Sequence, residues 1–152
     1  YRRGLYTHWQ RQFLHPALLA FDAPAREECT AERPRSNTPL AALVMLNDPS
    51  QVEAARALAE RTLRQDSTGL KAQFNALGKQ VLSRPFNNRE QMLLAKLLRE
   101  HIEDFEAKPA EADKLIRTGI APVPGDIPPV ELAAWTSVAR AVLNLHETIT
   151  RN

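Results

Sequence analysis

Two cap-and-proline pairs, Thr38-Pro39 and Asp48-Pro49, constrain the fold of this chain more than any other feature. A hydroxyl or carboxylate just before a helix accepts a backbone N–H of the first turn. Proline at the first helical position gives up an N–H that has no intrahelical partner there anyway. Each pair therefore predicts a helix start. The first opens the apolar run Pro39 to Leu46, whose composition predicts burial on most sides. The second opens a helix carrying Val52, Ala55, Ala59, Thr62 and Leu63 on one stripe. Gln51, three residues after Asp48, gives that start the form of a capping box. Arg56, Glu60, Arg61 and Arg64 fall off the stripe and are expected to face elsewhere.

The same punctuation runs through the rest of the sequence. Ser67-Thr68-Gly69 breaks the second helix, and Leu70, Phe74, Leu77 and Val81 build a third, stopped by Arg84-Pro85. Asn87 and Glu90 form an N-x-x-E box that opens a long helix striped by Leu94, Leu97, Leu98, Ile102 and Phe105. Pro109 restarts a shorter helix that ends near Thr118-Gly119. Residues 119–128, with three prolines and two glycines, are a linker. Pro129 starts a final helix over 129–150 with Leu132, Trp135, Ala139, Val142 and Ile149 on one face.

Upstream, residues 1–37 read as a helix plus irregular chain. Leu5, Trp9 and Phe13 share a helical face that ends before His15-Pro16; Ala17 to Phe21 is an apolar patch, and Asp22-Ala23-Pro24 is a turn. No segment alternates with period two, which leaves no sheet. The expectation is a single all-α domain over 1–152, of about five to seven helices, with a long N-terminal polar loop.

At 152 residues the chain is long enough for one core. A net charge of +2 offers no bulk attraction for nucleic acid. The arginine groups Arg2, Arg3, Arg11 and Arg26, Arg33, Arg35 read as carboxylate partners or solvated faces, so no nucleic-acid partner is expected. No run of about 18 apolar residues exists to insert into a membrane. The chain opens at Tyr1 without an initiating Met or signal peptide, and it reads as the interior of a longer polypeptide.

Reactive constellations are sparse. His8, His15, His101 and His146 show no metal-ligand spacing with one another or with Cys29, so neither a metal nor a cofactor is expected in this chain. His101 and His146 read as boundary residues that pack and hydrogen-bond. Cys29, the single cysteine, reads as a small buried thiol, although pairing with His15 would activate it as a nucleophile. Asp22, Glu27, Glu28 and Glu32 crowd one loop with Arg26, Arg33 and Arg35. Two readings stand: a salt-bridge lattice pinning irregular chain, or paired carboxylates for acid/base work on a sugar. The lattice leads, with Arg35 as its central donor because a guanidinium bridges several acceptors at once. Asn37 and Asn47 precede the two helix starts and satisfy local backbone groups. The candidate polar cluster is thus Asp22, Arg26, Arg35, Asn37 and Asn47.

Several runs together resemble one family. They are YRRGLYTHW at Tyr1 to Trp9, LAFDAP at Leu19 to Pro24, R-E-x-C-T at Arg26 to Thr30, and R-x-N-T-P-L-x-A-L-V-x-L-N-D-P at Arg35 to Pro49. EAARALAER at Glu53 to Arg61 and the ending from Glu131 through Leu145 to Glu147 fit it too. The family is the planctomycete-specific domain of unknown function found beside planctomycete cytochrome-c-like domains. The resemblance implies that this chain is the C-terminal part of that domain, in a large exported multidomain protein. Its partners would then be the N-terminal part of the same domain and the parent's other domains. It also implies an extracytoplasmic setting (periplasm or cell surface), a link to polysaccharide, and haem held in another domain. No catalytic residues come with the family. The chain departs from the pattern at Pro34, and at Lys108 and Pro128 where the family tends to have Asp; the last two should weaken helix caps by about 1 kcal/mol each. The leading functional reading is a non-catalytic helical module, and the alternative is an enzyme domain acting on a glycan or its substituents.

Overall fold

The computed structural model describes residues 8, 13–24, 29, 31, 38–65 and 69–149, and among them the backbone forms eight α-helices and no strand. The fold is all-α. The helices are α1 (Pro16–Ala20), α2 (Pro39–Asn47), α3 (Pro49–Arg64), α4 (Leu70–Leu82), α5 (Asn88–Ala107), α6 (Pro109–Ile116), α7 (Pro129–Leu143) and α8 (His146–Ile149). They fall into two compact units, residues 1–44 and 45–152.

In the first unit, the apolar patch after His15 is a short helix. Pro16 occupies its first position, and the His15 side chain accepts the Ala17 N–H through Nδ1 at 3.3 Å. The turn after it is a helix C-cap. Asp22 takes a left-handed φ of 53°, the Ala23 N–H reaches back to the Leu18 carbonyl at 2.9 Å, and the Asp22 N–H to Leu19 at 3.2 Å. Those two bonds satisfy carbonyls that the helix leaves open. The helical face of Leu5, Trp9 and Phe13 lies largely outside the described residues; Phe13 itself is exposed and not helical.

Thr38 caps α2 as its sequence predicts, accepting the Ala41 N–H at 3.2 Å. The expected burial of α2 is not found. Ala41 is its only buried residue, and Leu40 and Leu43 are each 55% exposed. An element that is apolar on every side has no polar face to turn outward, so any uncovered side presents leucine to water.

The second unit is built around α7. Its residues Leu132 to Ala139 are all buried, polar ones included. The sequence stripe of Leu132, Trp135, Ala139 and Val142 is only part of that surface. Ala133, Ala134, Thr136 and Ser137 are small enough to let neighbouring helices close in on the other sides. Thr136 and Ser137 donate their hydroxyls back to Leu132 and Ala133 carbonyls at 2.7 and 3.1 Å, which removes the cost of burying them. α3, α5 and α6 pack on α7, with Phe74 of α4 against the Trp135 ring at 5.3 Å. The long-helix stripe joins this core as expected, Leu98 fully and Leu94, Leu97, Ile102 and Phe105 partly.

Local signals set most boundaries. Asp48 caps α3 by accepting the Ser50 N–H at 2.8 Å. Asn87 and Glu90 form a complete capping box at the start of α5. Neither Lys108 nor Pro128 provides a side-chain cap. Gly78 lies inside α4, where glycine costs about 1 kcal/mol relative to alanine. A Cβ there would sit 2.8 Å from the Arg84 carbonyl and 3.1 Å from the Phe86 ring, so glycine lets the returning chain lie against the helix.

The final helix is shorter than expected. α7 stops at Leu143; Asn144, a poor helix former, closes it with its N–H on the Arg140 carbonyl at 3.1 Å. α8 follows separately, and Ile149 is 40% exposed beyond the break instead of continuing the α7 face.

Candidate functional site

Of the five residues proposed as a polar cluster, Arg26, Arg35 and Asn37 lie outside the described residues. Asp22 and Asn47 are placed, each in its own unit. Asp22 is the left-handed residue of the α1 cap, a conformation aspartate tolerates better than most side chains. Asn47 ends α2 next to the Asp48 cap and is exposed.

Two of the histidines have structural contacts. His101 stacks on Phe105 with ring centroids 6.0 Å apart, and His15 caps α1. Cys29 corrects an expectation: the thiol is exposed, not buried. In the sequence it stands near Glu27, Glu28 and Glu32, with no apolar stripe around it. No group of three or more His, Cys, Asp or Glu able to hold a metal occurs among the described residues. No helix there is long and apolar enough to cross a membrane.

The fold does assemble three charged constellations. The first is buried. Glu53 and Arg56, at 5% and 2% exposure, stand one turn apart on α3 and reach the end of α6 and the loop after it. Glu53 accepts the N–H groups of Ile120 and Ala121, at 2.5 and 3.1 Å. Arg56 donates Nη1 to the Ile116 carbonyl and Nη2 to the Ala121 carbonyl, at 2.5 and 2.9 Å. Its Nε lies 3.5 Å from Glu60, an ion-pair separation without hydrogen-bond geometry. Gly119 completes the fit: at φ +108° a Cβ would fall inside the Glu53 carboxylate. The expectation that Arg56 faces away from the core is therefore overturned. Its guanidinium closes the open carbonyls of α6 and the loop, work that no apolar side chain can do.

The second constellation is Arg84, in the turn between α4 and α5. Its guanidinium takes both Glu90 oxygens, at 3.0 and 2.9 Å, and both Glu147 oxygens, at 2.7 and 2.6 Å. The hydrogen bonds that Arg84 donates to Glu147, and then those to Glu90, hold it protonated well above its ordinary range. The Arg84 guanidinium in turn pulls both carboxyls below theirs, helped at Glu90 by the Asn87 N–H.

The third is an exposed two-point pair, Arg64 Nε and Nη2 on Asp126 at 3.1 and 3.0 Å, which ties the loop before α7 to α3. Separately, Arg140 of α7 donates to the Leu46 carbonyl through Nε at 3.1 Å and through Nη2. Burial pushes that guanidinium below its ordinary value.

Open surface grooves flank α3 and α4. One, of about 500 Å³, is lined by Gln65, Ala72, Asn75, Ala76, Lys79 and Gln80. Another, of about 460 Å³, runs along Ala57, Glu60, Arg61, Arg64 and Gln65. Both are shallow, and their side chains include no nucleophile with a base beside it.

Comparison with known families settles the kinship. The model of the family described as Protein of unknown function (DUF1553) matches residues 1–98. The chain belongs to this family. The matched span takes in the Asp48 cap, Glu53, Arg56 and the Arg84–Glu90 pair, whereas Ile116 to Ala121, Asp126 and Glu147 lie beyond it. In this DUF1553 chain, all three charged constellations therefore join matched residues to partners outside the match. No curated protein and no solved structure matches the chain.

Sequence reasoning missed Glu53 and Arg56 as a functional pair. The one available signal was two opposite charges one turn apart on the face bordering the Ala55–Ala59 stripe.

Proposed function

We propose that this DUF1553 chain is a non-catalytic helical module of a large, exported, cytochrome-c-associated multidomain protein. The observation supporting this reading is how the buried charges are used. Glu53, Arg56 and Arg140 direct their charged atoms at backbone amides and carbonyls of neighbouring segments. A general acid, base or nucleophile must instead present its reactive atom to a substrate. These groups fasten helices together.

In this reading Asp22, Arg26, Arg35, Asn37 and Asn47 form an anchoring cluster with Arg35 as central donor. The C-cap role of Asp22 supports a structural use of that segment. The module is planctomycete in origin and extracytoplasmic. It joins the N-terminal part of its own domain and the parent's other domains, in a polysaccharide context, with haem carried elsewhere in the parent and neither haem nor transition metal bound here.

The test is made on the purified chain and on the parent protein. The chain should show no Soret band and no stoichiometric zinc by elemental analysis, and the parent should fractionate outside the cytoplasm. Arg35→Lys should lower the melting temperature. Loss of a glycan-directed activity of the parent on Arg35→Lys, with melting unchanged, would overturn the reading in favour of an enzyme.

A further inference from the structure

α8 is held to the bundle in an unusual way. It has four residues, none of them buried. A single helical turn has no stability of its own, because nucleation fixes several dihedrals for one hydrogen bond. The side chains of Thr148 and Glu147 tie it to the described residues. Thr148 donates its hydroxyl to the Val142 carbonyl at 2.8 Å, a contact with the end of α7 only six residues away. Across the fold, Glu147 reaches Arg84, 63 residues distant in sequence. The two ends of that link differ. Arg84 is already oriented by Glu90, and Glu90 is itself fixed by the Asn87 N–H of the capping box at 2.7 Å. Glu147 is half-exposed on an element none of whose four residues is buried.

We propose that α8 is a detachable strap over the α4–α7 seam, with Arg84 as the fixed receptor and Glu147 as the moving part. α8 packs on both α4 and α7, which also pack on each other, so lifting it opens that seam without dismantling the core. Asn144 and Leu145 are the hinge, lying between the end of α7 and the start of α8.

The experiment is hydrogen exchange on the whole chain, read at the amides of Leu145, Thr148 and Ile149, which donate to Val142 and Leu145 carbonyls in the docked state. Glu147→Gln keeps shape and removes charge. It should speed exchange at these amides by about tenfold or more while leaving the exchange of α7 and the melting temperature unchanged. Thr148→Val should have the smaller effect. Unchanged exchange in Glu147→Gln would overturn the proposal, as would release by Thr148→Val alone. A fall in melting temperature that tracks the α8 exchange would also overturn it, because α8 would then be part of the cooperative core.

Discussion

Removing the guanidinium of Arg56 tests the central claim about the buried clamp. Arg56→Met replaces the aliphatic stem of the side chain with one of similar bulk, but leaves the Ile116 and Ala121 carbonyls without their donors. It also leaves Glu53 buried beside a neutral neighbour. Hydrogen bonds involving a charged group contribute about 1.5–3 kcal/mol each. Two of them, with some recovery from burying the methionine, give a loss of about 3–5 kcal/mol, the range seen when one partner of a buried charge cluster is removed. For a chain of this size each kcal/mol moves the melting temperature by about 2–4 °C, so a fall of about 10 °C is expected. Arg56→Lys should lose about half as much, since an ammonium lacks the fork that spans both carbonyls. Thermal melting followed by circular dichroism measures both variants, and hydrogen exchange at Ile120 and Ala121 localises the effect. If Arg56→Met melts within about 2 °C of the parent chain, the buried charges add nothing net and the argument fails.

Other perturbations follow from the same geometry. Gly119→Ala should destabilise by more than the ~1 kcal/mol usual for a left-handed glycine, because the new Cβ also displaces the Glu53 carboxylate; urea unfolding would read a lower midpoint. Asp22→Gly separates the two uses of that residue: glycine suits the left-handed cap, so a fall in melting temperature is expected from the loss of the side chain's place in the anchoring cluster, and an unchanged melting temperature would remove Asp22 from that cluster. Acid should release α8. Glu147 and Glu90 have folded-state values depressed by Arg84, so their contribution is complete above the usual carboxylate range and is lost as pH falls through the depressed values. The other charged groups on the elements packed against α8 are Lys71 and Lys79 of α4 and Glu131 and Arg140 of α7, and His146 lies on α8 itself. Raised exchange of α8 between pH 7 and 5 rather than below would contradict the assignment to the two carboxylates.

What was legible beforehand was local. Thr38, Asp48 and the Asn87–Glu90 box act within three residues of themselves, so their partners stand in the same stretch of sequence and spacing identifies them. The α5 stripe was legible for the same reason, because one face of one helix repeats every three to four residues. Arg56 was not. Its partners are backbone carbonyls 60 and 65 residues away, and a carbonyl carries no residue identity for a sequence to display. The break at Asn144 was hidden by apolar periodicity that continues into Ile149, although the chain turns between them. Cys29 was misread because small thiols favour interiors on average, while its own neighbours are charged.

The central position of α7 has a consequence for how the molecule is made. Chains emerge from the ribosome from the N-terminus, at about 5–20 residues per second. α3, α5 and α6 all lie upstream of α7 and all close against it. For several seconds of synthesis, on that rate, their inner surfaces have been produced while the helix they close upon has not. Leu94, Leu97, Leu98 and Ile102 form one greasy strip left without that partner in the interval. A chaperone attending the nascent chain would find its grip there, and not on the alanine, serine and threonine of α7, whose arrival ends the need for one.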